Sequence, residues 1–496
     1  MRHFQYPSLL VLLLLYCAQT VHGQNEEDAL RYSNILPGGS ARSWALGGAV
    51  GAVGADPGSA STNPAGLALY NTSEFSLTPQ FEVNGSQSTF YGQGSSDIDN
   101  RFSFNNLSVI LSTPYEHGGN WRSGSYGISF DRQASYHWDQ RFLAKDVQST
   151  ILQKFVDEAN GTAPDQLPDL LGWTSNLAYW TYGIDPLDTV ANTYSAAVPF
   201  GTPMDQDHRV NASGRLNTTS MFYAANYMDR FYVGATLGLV GVRYSRNTTH
   251  AETVADPTKD LNDLSYKEQL LTTGRGVNLK VGALGRVGQH LRLGLAFHSP
   301  QWLQLTDGFN YTMTTNFRTP GEGGRTQYSK DSPDGTYSYR IRTPWSVLAS
   351  AVYVVGQQGL VTVDYAYTDY RQARLRPGLD LVDDYDFHAE NDVIRDELRG
   401  THSLRAGTEW RAGAWYFRGG WGIWPNAYKE GDTMHGTSYM RFTAGIGYRT
   451  EHLSLDLTGL YGTQDTKYFP YNPALVQAAS LRTTDTRGMV TIAFRP

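Results

Sequence analysis

Cysteine occurs once in this 496-residue sequence, as Cys17. Everything after it is therefore without disulfides, thiolate metal ligands or cysteine nucleophiles. Long apolar runs are also missing. The longest, Leu9 to Leu15, falls far short of the ~20 residues a membrane-spanning helix requires. It follows Arg2-His3 and precedes the small-residue text Val21-His22-Gly23, the layout of a secretory signal peptide over residues 1–23. Tyr16 stands before Cys17 where a lipoprotein would carry a small residue. Histidines are dispersed, with no HxxxH or HxH pair, so no metal site is expected. There is no GxSxG elbow, and neither a catalytic function nor a cofactor is expected. A net charge of −7 without a long basic stretch excludes a nucleic-acid partner.

The mean hydropathy of −0.42 would suit a soluble protein, but the pattern points elsewhere. Tyr (32), Trp (11) and Gly (51) are abundant, and helical periodicity is scarce. From residue 73 the dominant period is two. Phe75, Leu77, Pro79, Phe81 and Val83 alternate with Ser76, Thr78, Gln80, Glu82 and Asn84, and Val277, Leu279, Val281 and Ala283 with Asn278, Lys280 and Gly282. Each such segment has one apolar face and one polar or small face.

Fourteen segments of this kind are expected, near 73–85, 102–114, 121–138, 216–229, 231–246, 275–288, 291–316, 336–355, 359–374, 401–411, 414–424, 438–449, 452–464 and 486–494. Their connections alternate between short and long, the longest being 139–215. Short turns on one rim and long loops on the other predict an all-β fold, a 14-stranded antiparallel transmembrane barrel over 73–496. Its place is the bacterial outer membrane, in contact with lipid and lipopolysaccharide. Trp121, Trp138, Trp345, Tyr365, Tyr367, Trp410, Trp415, Trp421 and Trp424 lie near strand ends and are expected to form interfacial girdles.

Residues 24–72 do not alternate. Their Gly- and Ala-rich text suits short turns packed as a plug (hatch) inside the lumen. Here Ala45-Leu46-Gly47-Gly48-Ala49, Asp56-Pro57-Gly58-Ser59-Ala60 and Asn63-Pro64-Ala65-Gly66-Leu67 resemble the N-terminal hatch of the FadL family of outer-membrane transport proteins (OMPP1/FadL/TodX). Gln148-Ser149-Thr150-Ile151 and Ile184-Asp185-Pro186, in the long third loop, are similar to the family's long-loop branch, and Asn391-Asp392-Val393-Ile394 running into Ser403 to Trp410 is a further match to the family. The resemblance implies passive transport of hydrophobic small molecules such as long-chain fatty acids. The ligand would pass from the outer loops into the barrel and leave sideways beside a kinked strand, with Asn63, Pro64 and Ala65 at the gating hatch. It also implies two other roles: an accessory subunit of an outer-membrane secretion or assembly complex, and haem uptake.

Several features admit two readings. Lys280, Arg292, Asp364, Arg405, Glu409, Arg418, Arg441 and Asp456 are predicted on the lumen face. Lys280, Arg292, Arg405 and Arg441 are candidates to hold a ligand carboxylate. Alternatively, the set is paired charge that fills the barrel and fastens the plug. Phe142, Leu143, Val147, Ile151, Phe155 and Val156 stand at helical spacing, either as a greasy ramp or as a lid packed on Leu167 to Leu171. The acidic stretch Asp380 to Asp392 lacks the glycine and terminal glutamate of an EF-hand loop and reads as a solvated surface.

Overall fold

In the computed structural model, which describes residues 26–115, 119–188, 190–379 and 385–496 apart from the Glu322 side chain, fourteen strands close into one antiparallel barrel. They are β1 (Glu74–Phe90), β2 (Gln93–Pro114), β3 (Trp121–Ser135, resumed at Trp138–Val147), β4 (Met204–Tyr227), β5 (Phe231–Val254), β6 (Leu261–Val287) and β7 (Leu291–His298, resumed at Trp302–Phe317). The second half comprises β8 (Gly335–Arg342, resumed at Ser346–Val355), β9 (Gly359–Asp369, resumed at Arg374–Pro377), β10 (Gly400–Ala412), β11 (Trp415–Trp424), β12 (Tyr439–Arg449), β13 (Leu453–Tyr468) and β14 (Ala479–Phe494). β14 pairs with β1, from Phe494 opposite Phe75 to Ser480 opposite Thr89, and this seam closes the ring. The signal-peptide segment, Cys17, and Asp380, Asp383 and Asp384 lie outside the described residues. Among the described residues no helix is long and apolar enough to cross a membrane.

The alternation sorts side chains as the period of two demands. Val233, Leu237 and Leu239 on β5, Val277, Leu279 and Val281 on β6, and Leu453, Leu455 and Leu457 on β13 are exposed on the outer face. Their neighbours Thr236, Asn278, Lys280, Ser454 and Asp456 are buried inside. A ring of exposed aliphatic and aromatic side chains around a closed barrel is a surface made for lipid.

Several strands run well beyond that belt. β4, β5 and β6 are 24, 24 and 27 residues long. On β4 the outward set passes from Tyr223 and Met221 to Arg209, Asp207 and Asp205, so its first half stands clear of the membrane. Much of what reads as long loop is therefore strand. Residues 86–101 belong to β1 and β2, which are joined by a two-residue turn at Tyr91-Gly92 with φ of 45° and 78°. Positive φ at both positions is the hairpin geometry that matches strand twist. The loop expected at 139–215 shrinks to 148–203, because Trp138–Val147 pairs with β4. Outside lipid both faces are polar, so the apolar alternation that betrays a strand vanishes there.

The remaining third loop forms a lid. Phe142 and Val147 lie on β3, and the helix α3 starts only at Ile151 (Ile151–Ala159), where Thr150 accepts a hydrogen bond from Leu152 N. α4 (Leu167–Leu170) and α5 (Ser175–Trp180) follow, and α6 (His388–Glu397) lies in the loop between β9 and β10. Ile151, Leu152, Phe155, Val156 and Ala159 are buried with Leu167 and Leu177 in one cluster. The apolar face of α3 is thus packed, not presented as a ramp.

The N-terminal segment occupies the lumen. α1 (Glu26–Ser33) and α2 (Ala41–Ala45) lead into short 3₁₀ helices at Pro57–Ala60 and Pro64–Leu69, and nearly every residue from Gly38 to Ala68 is buried.

Candidate functional site

Asp56 organises the plug from within. It accepts hydrogen bonds from the Ser40 and Ser43 hydroxyls and from Gly58 N, tying α2 to the turn at Pro57. Asn63 does the same lower down. Its Oδ1 accepts from Ala65 N at 3.2 Å, and its Nδ2 donates to Gly51 O at 2.8 Å and, across the lumen boundary, to Ala283 O of β6 at 3.3 Å. Pro64 then opens the second 3₁₀ turn, where its fixed φ suits the first helical position. The wall makes room for this corner. A Cβ on Gly234 would come within 2.5 Å of the Pro64 backbone, and one on Gly282 within 1.9 Å of Asn63 Oδ1. In the sequence these glycines read only as the small face of an alternating strand; their partner gives them meaning.

The lumen charges fasten this plug to the wall. Arg42 reaches Glu409 of β10 through Nε (2.8 Å) and Nη2 (3.1 Å). Glu409 in turn accepts from Arg418, which also reaches Asp456 at 2.6 Å. Lys280 Nζ donates to Ser61 O at 3.0 Å, and Arg292 to Val53 O at 2.9 Å. Arg405 pairs with Asp364, whose carboxylate accepts from Gly51 N. Arg441 lies 4.3 Å from the Trp44 ring and 5.0 Å from that of Trp424. All eight expected lumen charges face inward, and each of the five cations among them is engaged by the plug or by a neighbour in the wall.

Above the plug the lumen is not filled. A groove of about 850 Å³ on the outer rim, near Arg399 and Arg482, shares Asn426, Thr466 and Leu481 with a chamber of about 440 Å³ inside the barrel. That chamber shares Leu36, Gln133 and Trp424 with a smaller one of about 110 Å³ beside Lys280 and His298. Trp138 and Trp424, expected in the interfacial girdles, line the central chamber instead. Trp138 follows the break in β3, and Trp424 falls on the inward register of β11 under Arg441. Trp121, Trp410 and Trp415 are exposed on the outside, as girdle residues should be.

The chamber adjoins a fault in the wall. β2 and β3 pair only from Pro114 opposite Ser123 to Asn106 opposite Asp131. Beyond that point β3 swings inward. Its backbone at His137, Asp139 and Arg141 accepts hydrogen bonds from Asn84, Ser86 and Ser88 on the inner face of β1. The β2 edge above Asn106 is left without a β3 partner at the level of Phe102 and Phe104, which are 66 % and 47 % exposed in the apolar belt. Plug residues stand behind this fault. Leu36 N donates to Gln133 O at 3.1 Å, Asn105 Nδ2 donates to Gly39 O at 2.6 Å, and Gly38 abuts Asp131.

No protein-family model and no curated protein matches this sequence. Solved structures do match. A FadL homologue from Pseudomonas aeruginosa aligns over 93 % of this chain and 99 % of its own, at 12 % identity and a TM-score of 0.54. The Pseudomonas putida toluene transporter TodX aligns over the same shares, at 11 % identity and a TM-score of 0.52. The chain has the FadL-type fold. With the apolar belt, that fold makes it a multi-pass protein of the bacterial outer membrane. On a FadL-type barrel the plug, the chambers and the β2–β3 fault are the features to explain, and of these only the plug and its Asn63-Pro64 corner are legible from motif.

Proposed function

We propose that this barrel is a passive channel for hydrophobic small molecules. A molecule would pass from the rim groove into the central chamber and leave sideways between β2 and β3 into lipid. The reading rests chiefly on one observation, a string of chambers that runs from the outer rim to the part of β3 that turns inward, where its pairing with β2 has ended. Burial supplies a driving force, since apolar surface gains about 25 cal/mol per Å² on leaving water. Asn63, Pro64 and Ala65 would be the pivot of the plug, and Leu36 to Gly39 its moving shutter. Lys280, Arg292 and Arg441 serve in this scheme as plug anchors. The FadL homologue and TodX, a toluene transporter by name, support the same class of cargo.

The test is to fill the chamber. Ala134 lines it beside the β3 break, so Ala134→Trp should cut uptake of a labelled hydrophobic compound by cells several-fold while leaving the amount of folded barrel unchanged. Undiminished uptake would overturn the route.

A further inference from the structure

Resting on that reading, we infer that the ligand of the central chamber is an oxygen-bearing aromatic compound rather than a plain hydrocarbon. Beside apolar side chains and charged ones such as the Asp485–Arg487 pair, the chamber presents two features that bear on its ligand. Trp138 and Trp424 give it aromatic faces. Between them stand amide side chains whose hydrogen-bonding groups are open to the cavity. Asn34 and Gln140 have no side-chain partner among the described residues. Gln133 accepts the Thr218 hydroxyl through Oε1, which leaves its Nε2 donors uncommitted. Asn426 accepts from Tyr428 N through Oδ1 and likewise keeps its Nδ2 free. The indole N–H groups of Trp138 and Trp424 have no partner among the described residues either.

This lining decides what fits. Ring faces stack well on aromatic ligands. Amides that face a cavity can be hydrated, and a hydrocarbon filling the chamber would strand them, which is unfavourable for each group. A ligand with hydroxyl or carbonyl oxygens on an aromatic frame replaces the water's hydrogen bonds and keeps the stacking. A site furnished this way discriminates strongly against an analogue lacking the polar groups. At about 440 Å³ the chamber also falls within the ~300–1,000 Å³ usual for sites that enclose small ligands, ample for a two- or three-ring compound.

The full-length protein, purified in detergent, can be titrated with a matched pair: the hydrocarbon diphenylmethane and its dihydroxy derivative 4,4′-dihydroxydiphenylmethane. Quenching of tryptophan fluorescence and calorimetry both report binding. The dihydroxy compound should bind about tenfold more tightly or better, and this advantage should shrink in Asn34→Leu and Gln140→Leu. Equal or tighter binding of diphenylmethane would overturn the inference, as would no binding of either compound up to its solubility. Since the comparison is made on the wild-type chain, misfolding of a variant leaves it intact. The transport reading is judged separately, by uptake through Ala134→Trp, so a hydrocarbon-selective chamber would sink the ligand class and leave the channel standing.

Discussion

Two seams of the same barrel differ sharply. β4 and β5 pair without a break from Met204 opposite Val254 down to the turn where Tyr227 faces Phe231. β2 and β3 pair from Pro114 to Asn106 only, after which β3 abandons the wall for the inside of β1. A sheet edge inside a membrane leaves backbone groups unpaired, and each such group costs several kcal/mol in hydrocarbon. Here the strand that leaves turns its own backbone to β1 side chains, and the plug supplies Gly39 O to Asn105. The unbroken seam is paired throughout; the broken one has plug residues packed behind it.

That contrast can be attacked first through the plug's anchors. Glu409→Ala removes the shared carboxylate between buried Arg42 and Arg418, and leaving such charge uncompensated costs about 3–5 kcal/mol. The expected result is a lower Tm in detergent and faster amide exchange over 41–58, with β4 to β6 still protected. A smaller effect is expected from Gly282→Val, which pushes a side chain into Asn63 and should cost about 1–3 kcal/mol by overpacking. Differential scanning calorimetry would register it, and uptake should rise as the shutter loosens.

The smallest effect concerns the lid, well outside the membrane. Tyr468 Oη meets His208 Nε2 at 2.9 Å, His208 Nδ1 faces His250 Nδ1 at 3.2 Å, and His250 Nε2 meets Glu252 at 2.9 Å. Glu252 receives the Thr150 hydroxyl and, at 2.8 Å, Ile151 N at the start of α3. Burial first, then His250 and the nearby Arg246, hold His208 well below its ordinary 6.5, against a weaker pull from Asp207. The undocked lid therefore binds more protons than the docked one. Docking is at full strength above about pH 6.5 and weakens as pH falls through that value toward the depressed one. Amide exchange over 151–159 should accelerate between pH 7.5 and 5, by an amount on the order of 1 kcal/mol, and His208→Gln should flatten the response.

How much of this was readable beforehand depends on where lipid touches the chain. In the belt one face must be apolar, so Leu453, Leu455 and Leu457 announce both their strand and their register. Above the belt that constraint lapses, and β1 beyond Asn84 reads as loop until the Tyr91-Gly92 turn pairs it with β2. The Asn63-Pro64 corner was visible as a motif, but its seat on Gly234 and Gly282 was not, because a glycine on a small face looks alike whether or not a plug presses on it. Trp138 was misplaced for a related reason: strand position alone does not show that β3 turns inward. The fault itself is a property of pairing between strands, and nothing local in Asn106 or Asp131 records it.

The central claim is that cargo leaves between β2 and β3 when the plug yields. It is tested most directly by a cysteine pair, Gly38→Cys with Asp131→Cys, in a chain with no other cysteine beyond residue 17. A Cβ on Gly38 would lie 2.6 Å from that of Asp131, so a shift of about an ångström reaches disulfide geometry. The account predicts that oxidation abolishes uptake of the labelled hydrophobic compound and that reduction of the same cells restores it. Equal uptake in the oxidised and reduced states, with the disulfide shown to have formed, would contradict it.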